Sequence, residues 1–201
     1  VFALTSGLVT YFYTNVIGIS AALVGTILLL SRIFDGVSDL VIAQLMDKVN
    51  SKHGKARAWI LWMSIPYGLT AIALFAVPAT ATTAVQAIYI FVTYNLCTTV
   101  VYTALNLPYA SMAPMITNDE GDLSKLNLFR MSMSPIGNMI VTACTLPFIN
   151  MLGGDQRAWI IVTVIYSIIA FGMLMWTFLG CKERFHSEAA KEAEGLPFMT
   201  R

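Results

Sequence analysis

Two long stretches without a charged residue limit the folds that this chain can adopt. Residues 1–31 and residues 79–118 contain no Asp, Glu, Lys or Arg. Over the whole chain 57% of residues are hydrophobic and 11% are charged, whereas a soluble domain carries about 25% charged residues. The sequence therefore predicts an all-α protein that crosses a membrane several times, and a lipid bilayer is its first expected partner.

The apolar runs predict six membrane-spanning helices, because about 20 mostly apolar residues cross the hydrocarbon core. Polar or small residues near Gly18 and at ATATTA divide the longest runs. The expected helices lie at about 1–16, 21–46, 58–78, 85–115, 126–150 and 157–180. Residues 1–181 would form a six-helix bundle, and residues 182–201 would begin a charged cytoplasmic loop. Because Val1 lies inside an apolar run, we expect helix 1 to be truncated and the chain to be part of a longer protein.

The distribution of lysine and arginine predicts the orientation in the membrane, since cytoplasmic loops are enriched in these residues. The segments 47–57, 116–125 and 182–201 hold nine of them, and the alternate loops hold only Arg157. Both the N-terminus and the C-terminal tail are therefore expected in the cytoplasm. A net charge of +1 gives no reason to expect a nucleic-acid partner. Three scattered cysteines without a metal-ligand spacing predict no bound metal cofactor.

Three charges interrupt the apolar helix predicted at 21–46. With about 100° per residue, Arg32, Asp35 and Asp39 lie within about 60° of one another on the helix surface. Two carboxylates one turn apart repel unless an arginine, a proton or a metal cation balances them. Arg32 can balance one; the other invites Na⁺ or H⁺, with Ser38 as a further oxygen ligand for Na⁺. A structural charge network is the alternative, although ionisable residues inside a membrane usually serve function.

A second polar group is expected at the same depth. Counted from the following cytoplasmic loop at 1.5 Å per residue, Asp35 lies about 18 Å deep and Thr103 about 21 Å deep. If their helices pack together, Thr103 would bring Tyr102 and Asn106 to the same layer as ligands for a cation or a sugar. Arg130, just inside helix 5, either joins this pocket or extends its charge to the membrane surface.

Several motifs in order resemble those of the glycoside–pentoside–hexuronide:cation symporters, within the major facilitator superfamily. They are YFYTNVIGISAALVGTILLLSRIFDGVSD, DKVNSKHGKARAW, YTALNLPYASMAP, LFRMSMSPIGN, TLPFINMLGG and CKERF, and together they cover nearly the whole chain. The resemblance implies the N-terminal six-helix half of a twelve-helix transporter in a bacterial inner membrane. The C-terminal half of the same transporter would then be its partner.

The resemblance also implies roles at matched positions. It implies cation binding by Asp35, Asp39, Thr103 and Ser38; the Ser38 position is often Asn in the family. It also implies pocket roles for Arg32 and Arg130.

Asn106 stands where the melibiose branch of the family has a sugar-binding aspartate, and Ala110 stands where that branch has a tryptophan. The NLPYAS motif resembles the pentoside and hexuronide branch more closely. A pentoside or hexuronide is therefore a better expected substrate than an α-galactoside.

The basic loop after helix 2 has two compatible interpretations. Its candidate residues are Asp47, Lys48, Lys55 and Arg57. They form either a gating latch, in which Asp47 pairs with a basic residue when the cytoplasmic side closes, or an ordinary cytoplasmic anchor.

Three functions remain open at this point. The first is a secondary transporter that couples uptake of a small glycoside to Na⁺ or H⁺, with no other cofactor. The second keeps the fold and carries a lipid or another small molecule. The third, an intramembrane enzyme, would use the two aspartates for acid–base catalysis. Both aspartates lie on one helix without a Ser/His or His/Glu pair, so we do not expect an enzyme.

Overall fold

The computed structural model describes residues 2–48, 55–117 and 119–181, and every regular element in these ranges is helical. We number the described helical segments α1 to α6. Segment α1 joins Leu4–Leu8, Val9–Tyr11 and Phe12–Val16, and the others are α2 (Ala21–Lys48), α3 (Lys55–Phe75), α4 (Thr83–Ser111), α5 (Glu120–Met151) and α6 (Gln156–Gly180). A short turn of helix, Ala113–Ile116, follows α4. The predicted cytoplasmic segment 182–201 lies outside the described residues.

Five described helices are long and apolar enough to cross a membrane. They are Ala21–Leu45, Ala56–Phe75, Thr83–Ser111, Glu120–Met151 and Gln156–Gly180. Segment α1 is also helical but falls short of the about 20 residues that a complete span requires. The prediction of an all-helical, multi-pass membrane protein is confirmed.

The start of α5 differs from the expected boundary at about 126. The helix begins at Glu120, and the carboxylate of Asp119 accepts a hydrogen bond from the Gly121 N–H at 3.2 Å. Glu120 and Asp122 occupy the first turn, where the helix dipole favours negative charge. Hydropathy assigned these charged residues to a loop, but their capping chemistry extends the helix by more than one turn.

An aromatic cluster packs α1 against α3 and α6. The ring of Phe12 lies 5.0 Å from that of Phe75 and 5.2 Å from that of Trp159, and all three side chains are buried. Phe75 and Trp159 stack with their centres 5.6 Å apart. The buried hydroxyl of Tyr13 donates to the carbonyl of Leu74 at 3.1 Å. These contacts combine large apolar burial with a satisfied polar group, and they fix one end of the bundle.

The helices α3 and α6 approach each other closely. A methyl group built on Gly68 would lie 3.3 Å from the Cβ of Ser167, so glycine permits this approach. At the start of α6, the amide of Gln156 donates to the carbonyls of Phe75 and Val77 at 3.0 and 2.6 Å. Small residues at a helix contact and polar links at its end are typical of packing inside membranes.

By contrast, α2 and α5 expose most of their apolar side chains. Leu29 and Leu40 on α2, and Phe129 and Met139 on α5, are between 66% and 70% exposed. Apolar surface of this extent is stable only when lipid or another protein surface covers it.

Candidate functional site

A row of polar contacts joins α2 to α4. On α2, Ser31, Asp35 and Asp39 lie four residues apart; on α4, Asn95, Thr99 and Thr103 have the same spacing. Among the described residues they pair as Ser31–Asn95, Asp35–Thr99 and Asp39–Thr103, always 64 positions apart. The constant separation means that the two helices run in the same direction. We call these three contacts the polar ladder.

The first rung of the ladder joins the buried Ser31 to the half-buried Asn95. Asn95 Nδ2 donates to Ser31 Oγ at 2.9 Å and to the carbonyl of Phe91 at 2.7 Å. The Ser31 hydroxyl donates in turn to the carbonyl of Ile27 at 2.9 Å. Because Ser31 is completely buried, the satisfied hydrogen bonds make this rung a structural link between the helices.

The middle rung holds Asp35 between the helix interface and open space. Thr99 Oγ1 donates to Asp35 Oδ1 at 2.5 Å, and Arg32 Nη1 lies 3.5 Å from Asp35 Oδ2. Thr99 is buried, whereas the Arg32 side chain is 77% exposed and that of Asp35 is 26% exposed. The two carboxylate oxygens therefore meet two different environments.

The last rung is the most open one. Thr103 Oγ1 donates to Asp39 Oδ1 at 3.0 Å; Thr103 is buried and Asp39 is exposed. The sequence reasoning placed Thr103 level with Asp35, which is wrong by one helical turn. The count for Thr103 assumed that α4 continues to the loop at Thr117, but α4 ends at Ser111 and a separate short helix, Ala113–Ile116, follows it.

Ser38 also contacts α4. Its hydroxyl lies 2.9 Å from the carbonyl of Thr99 and 3.1 Å from that of Asp35, and donates towards them. The Thr99 carbonyl belongs to the π-helical segment, and such segments are frequent at functional sites. Ser38 thus links α2 to the backbone of α4, and its role as a cation ligand stays a prediction.

A cavity of about 220 Å³ opens beside the middle and last rungs of the ladder, which we call the two lower rungs. It is lined by Phe2, Thr5, Ser6, Arg32, Asp35, Asp39, Tyr94, Thr98, Tyr102, Thr103 and Asn106. The structure therefore brings together both aspartates, Thr103 and three of the four predicted substrate-binding residues. Its carboxylate and hydroxyl oxygens are the ligand type that hard cations such as Na⁺ prefer.

One part of the cavity wall is aromatic. The ring of Phe2 stacks on that of Tyr102 with centres 4.5 Å apart and planes 14° apart, and Tyr67 lies 6.1 Å from Tyr102. Arg32 and Asn106, which line the same cavity, are exposed and polar. The cavity thus combines an aromatic surface with charged and amide groups, and such a combination is common in sites for small molecules.

Arg130, the fourth predicted substrate residue, is not among the residues that line this cavity. Its guanidinium carbon lies 6.0 Å from the ring centre of Tyr109, a cation–π contact. The structure thus holds Arg130 beside the ring of an exposed tyrosine at the end of α4.

Of the predicted gating residues, only Arg57 has a described side chain; those of Asp47, Lys48 and Lys55 lie outside the described residues. Arg57 Nε and Nη2 donate to the carbonyl of Phe178 at 3.2 and 2.5 Å, and the guanidinium lies 4.7 Å from the Phe178 ring centre. Arg57 therefore ties the start of α3 to the end of α6. Its role in gating stays a prediction.

Sequence reasoning missed Ser31, Asn95 and Thr99. The signal that could have found them is the matched spacing of polar side chains, every four residues, on two apolar helices. Residues four apart share one helix face, so two matching rows are complementary when the helices pack.

A larger cavity of about 310 Å³ lies where the loops after α1, α3 and α5 meet. Asp155 is the only ionisable residue in its described lining, and the amide of Gln156 is engaged with backbone carbonyls. We assign no site to this cavity.

Comparison with known proteins identifies the family of the chain. Residues 3–200 match the family described as MFS/sugar transport protein. The chain is 34% identical over 176 residues to the inner membrane symporter YicJ of Escherichia coli K12, covering 87% of this chain and 38% of YicJ. It is 31% identical over 203 residues to the isoprimeverose transporter of Lactiplantibacillus pentosus, covering 99% of this chain and 42% of that protein. The chain thus spans about two fifths of the length of these relatives. It belongs to the MFS/sugar transport protein family, among the glycoside–pentoside–hexuronide:cation symporters.

Proposed function

We propose that this chain is the N-terminal half of a secondary transporter that couples glycoside uptake to Na⁺ or H⁺ at the two lower rungs of the polar ladder. One observation carries the proposal: Asp35 and Asp39 line a polar cavity one turn apart, and each accepts a hydrogen bond from a threonine of α4. With one nearby arginine, this pair keeps an excess negative charge at the wall of the cavity, which a bound cation would balance.

The oxygens on the lower rungs fit Na⁺ as a co-substrate. Asp35 and Asp39 supply carboxylate oxygens, and Thr103 supplies a hydroxyl whose hydrogen is already donated to Asp39. The hydroxyl oxygen keeps a free lone pair that can face a cation. A cation on Asp35 would weaken the attraction between Asp35 and Arg32, which frees Arg32 to contact the sugar. In this way cation binding would prepare the sugar site.

The substrate that these side chains fit best is a pentoside or a hexuronide. Arg32 supplies hydrogen-bond donors for sugar hydroxyls or for the carboxylate of a uronide. Asn106 presents a neutral amide, so this position does not repel an anionic sugar. The stacked rings of Phe2 and Tyr102 offer an apolar face for the carbon side of a sugar ring. One relative carries the name of an isoprimeverose transporter, which supports a glycoside substrate.

Transport would proceed by rocking of two six-helix halves around this site. The exposed apolar surfaces of α2 and α5 would contact lipid and the second half. The bias of lysine and arginine supports a cytoplasmic N-terminus and tail, and the relative named as an inner membrane symporter supports a bacterial inner membrane. The segment with Asp47, Lys48, Lys55 and Arg57 would then lie on the cytoplasmic side, where it would act in gating.

Uptake by membrane vesicles that contain the full-length protein tests this function. Labelled β-glucuronides, β-xylosides, melibiose and lysolipids are offered, while sodium and pH are varied separately. We expect Asp35→Asn and Asp39→Asn to abolish accumulation against a gradient without loss of expression. Asp122→Asn, an exposed residue at the start of α5, is the matched control and should transport normally.

Continued concentration of sugar by the double Asp35→Asn, Asp39→Asn variant would contradict the mechanism. Uptake of lysolipids without uptake of any glycoside would favour the lipid carrier instead.

A further inference from the structure

The middle rung of the polar ladder contains a residue outside the predicted cation site. We propose that Thr99 is a positioning residue that fixes the carboxylate of Asp35 for sodium binding, acting from the buried side of the α2–α4 interface. This inference rests on the proposed function and adds a residue that touches neither the cavity nor the sugar.

Thr99 contacts the Asp35 carboxylate from the helix interface, whereas Asp35 itself also lines the cavity. Thr99 is 3% exposed and is not among the residues that line the cavity, whereas Asp35 and Arg32 are. Thr99 Oγ1 binds Asp35 Oδ1, and Arg32 Nη1 approaches Oδ2 from the exposed side. Thr99 therefore binds one carboxylate oxygen of Asp35 and leaves the other oxygen for a ligand in the cavity.

The hydrogen of the Thr99 hydroxyl has two acceptors within reach. Asp35 Oδ1 lies at 2.5 Å and Asn95 Oδ1 at 3.3 Å. A hydroxyl–carboxylate bond is charge-assisted and about twice as strong as a neutral one, so Asp35 receives the hydrogen. Asn95 itself is held by its hydrogen bonds to Ser31 and to the carbonyl of Phe91, and its Oδ1 lies 3.3 Å from the Thr99 hydroxyl.

Thr99 also holds α2 at a second point, because its carbonyl accepts the hydroxyl of Ser38. The two contacts lie on consecutive turns of α2 and restrict movement of Asp35 relative to α4. Without the Thr99 hydroxyl, the exposed guanidinium of Arg32 could take both oxygens of Asp35 in a bidentate pair. A cation would then have to compete with the arginine.

Sodium binding to the purified full-length protein tests this role. Isothermal titration gives the sodium affinity, and the sodium-dependent rise of the unfolding temperature gives a second, independent measure. We expect Thr99→Val to weaken sodium binding by roughly tenfold, the loss of one charge-assisted hydrogen bond at its lower limit. Thr99→Ser should restore the wild-type affinity. If Thr99→Val does not fold, Thr99→Ala carries the same expectation.

Thr93→Val is the matched control, because the Thr93 hydroxyl donates to the carbonyl of Tyr89 within its own helix. It should keep the wild-type sodium affinity, even where it lowers stability slightly.

Four results would separate this inference from the proposed function. Wild-type affinity in Thr99→Val, together with lost binding in Asp35→Asn, would overturn the role of Thr99 and leave the proposed function intact. Equal weakening in the Val and Ser variants would also overturn it, since the hydroxyl would not be the cause. Absence of sodium binding in the wild type would overturn it too, and uptake driven by pH would then decide the proposed function alone. Unchanged binding in Asp35→Asn would reject the cation site itself.

Discussion

The contact between Arg57 and Phe178 should contribute measurably to stability. Phe178 lies in the last turn of α6, where backbone carbonyls lack partners within the helix and the helix dipole favours a cation. Two guanidinium nitrogens of Arg57 donate to the Phe178 carbonyl, and the guanidinium also lies over the Phe178 ring. One half-buried side chain thus joins the start of α3 to the end of α6 in two ways.

The structure sets the expected magnitude for Arg57→Met. Loss of a hydrogen bond from a charged donor costs about 1.5–3 kcal/mol, and loss of a cation–π contact costs about 0.5–1 kcal/mol. The free energy of unfolding should therefore fall by about 2–4 kcal/mol. Arg57→Lys keeps the charge near the helix end but not the planar fork, so it should lose about half as much.

Unfolding of the full-length protein in mixed micelles, titrated with dodecyl sulfate and followed by tryptophan fluorescence, measures these differences. Lys125→Met is the matched control, because Lys125 pairs with Asp122 at 3.1 Å where both side chains are largely exposed. An exposed pair contributes less than about 1 kcal/mol. Equal stability of Arg57→Met and Lys125→Met would refute the reasoning, and wild-type stability of Arg57→Lys would refute the argument from the planar fork.

Two further substitutions test the packing of α3 against α6 with the same unfolding assay. Gly68→Ala places a methyl group 3.3 Å from the Cβ of Ser167 and should cost about 1–3 kcal/mol, while Gly172→Ala, with open space around its Cβ, should cost nothing. Unchanged stability of the Gly68→Ala variant would show that α3 and α6 can move apart to accommodate the added methyl group. Gln156→Leu removes the donor to the carbonyls of Phe75, the last residue of α3, and Val77, just beyond it, and should cost about 1–3 kcal/mol. An unchanged unfolding midpoint would mean that water replaces the amide of Gln156.

The membrane-spanning helices could be predicted because bilayer thickness fixes their length and composition, independently of how they pack. The start of α5 could not be predicted from hydropathy, because Glu120 and Asp122 are polar whether they lie in a loop or in the first turn of a helix. Capping chemistry contains the missing information: Asp119 precedes two acidic residues at close spacing, and this pattern is typical of a helix start.

The candidate site was predictable only in part, for a related reason. Asp35 and Asp39 are distinctive because charge is costly inside a membrane, and one helix suffices to place them on one face. Thr99 is one threonine among several in an apolar helix, and its importance depends on the alignment of α4 with α2. That alignment is a property of two helices, and a count from the following loop misses it by one turn because α4 ends at Ser111, before the short helix Ala113–Ile116.

The polar ladder itself explains how this alignment is held. A shift of α4 by one turn in one direction would set Asn95 against Ile27, and a shift in the other direction would set Ser31 against Phe91. Either shift leaves a polar side chain opposite an apolar one, which is costly where water is excluded. The Ser31–Asn95 contact lies farthest from the open rung, yet it opposes both shifts. The rung without access to the cation site therefore secures the alignment on which both aspartates depend.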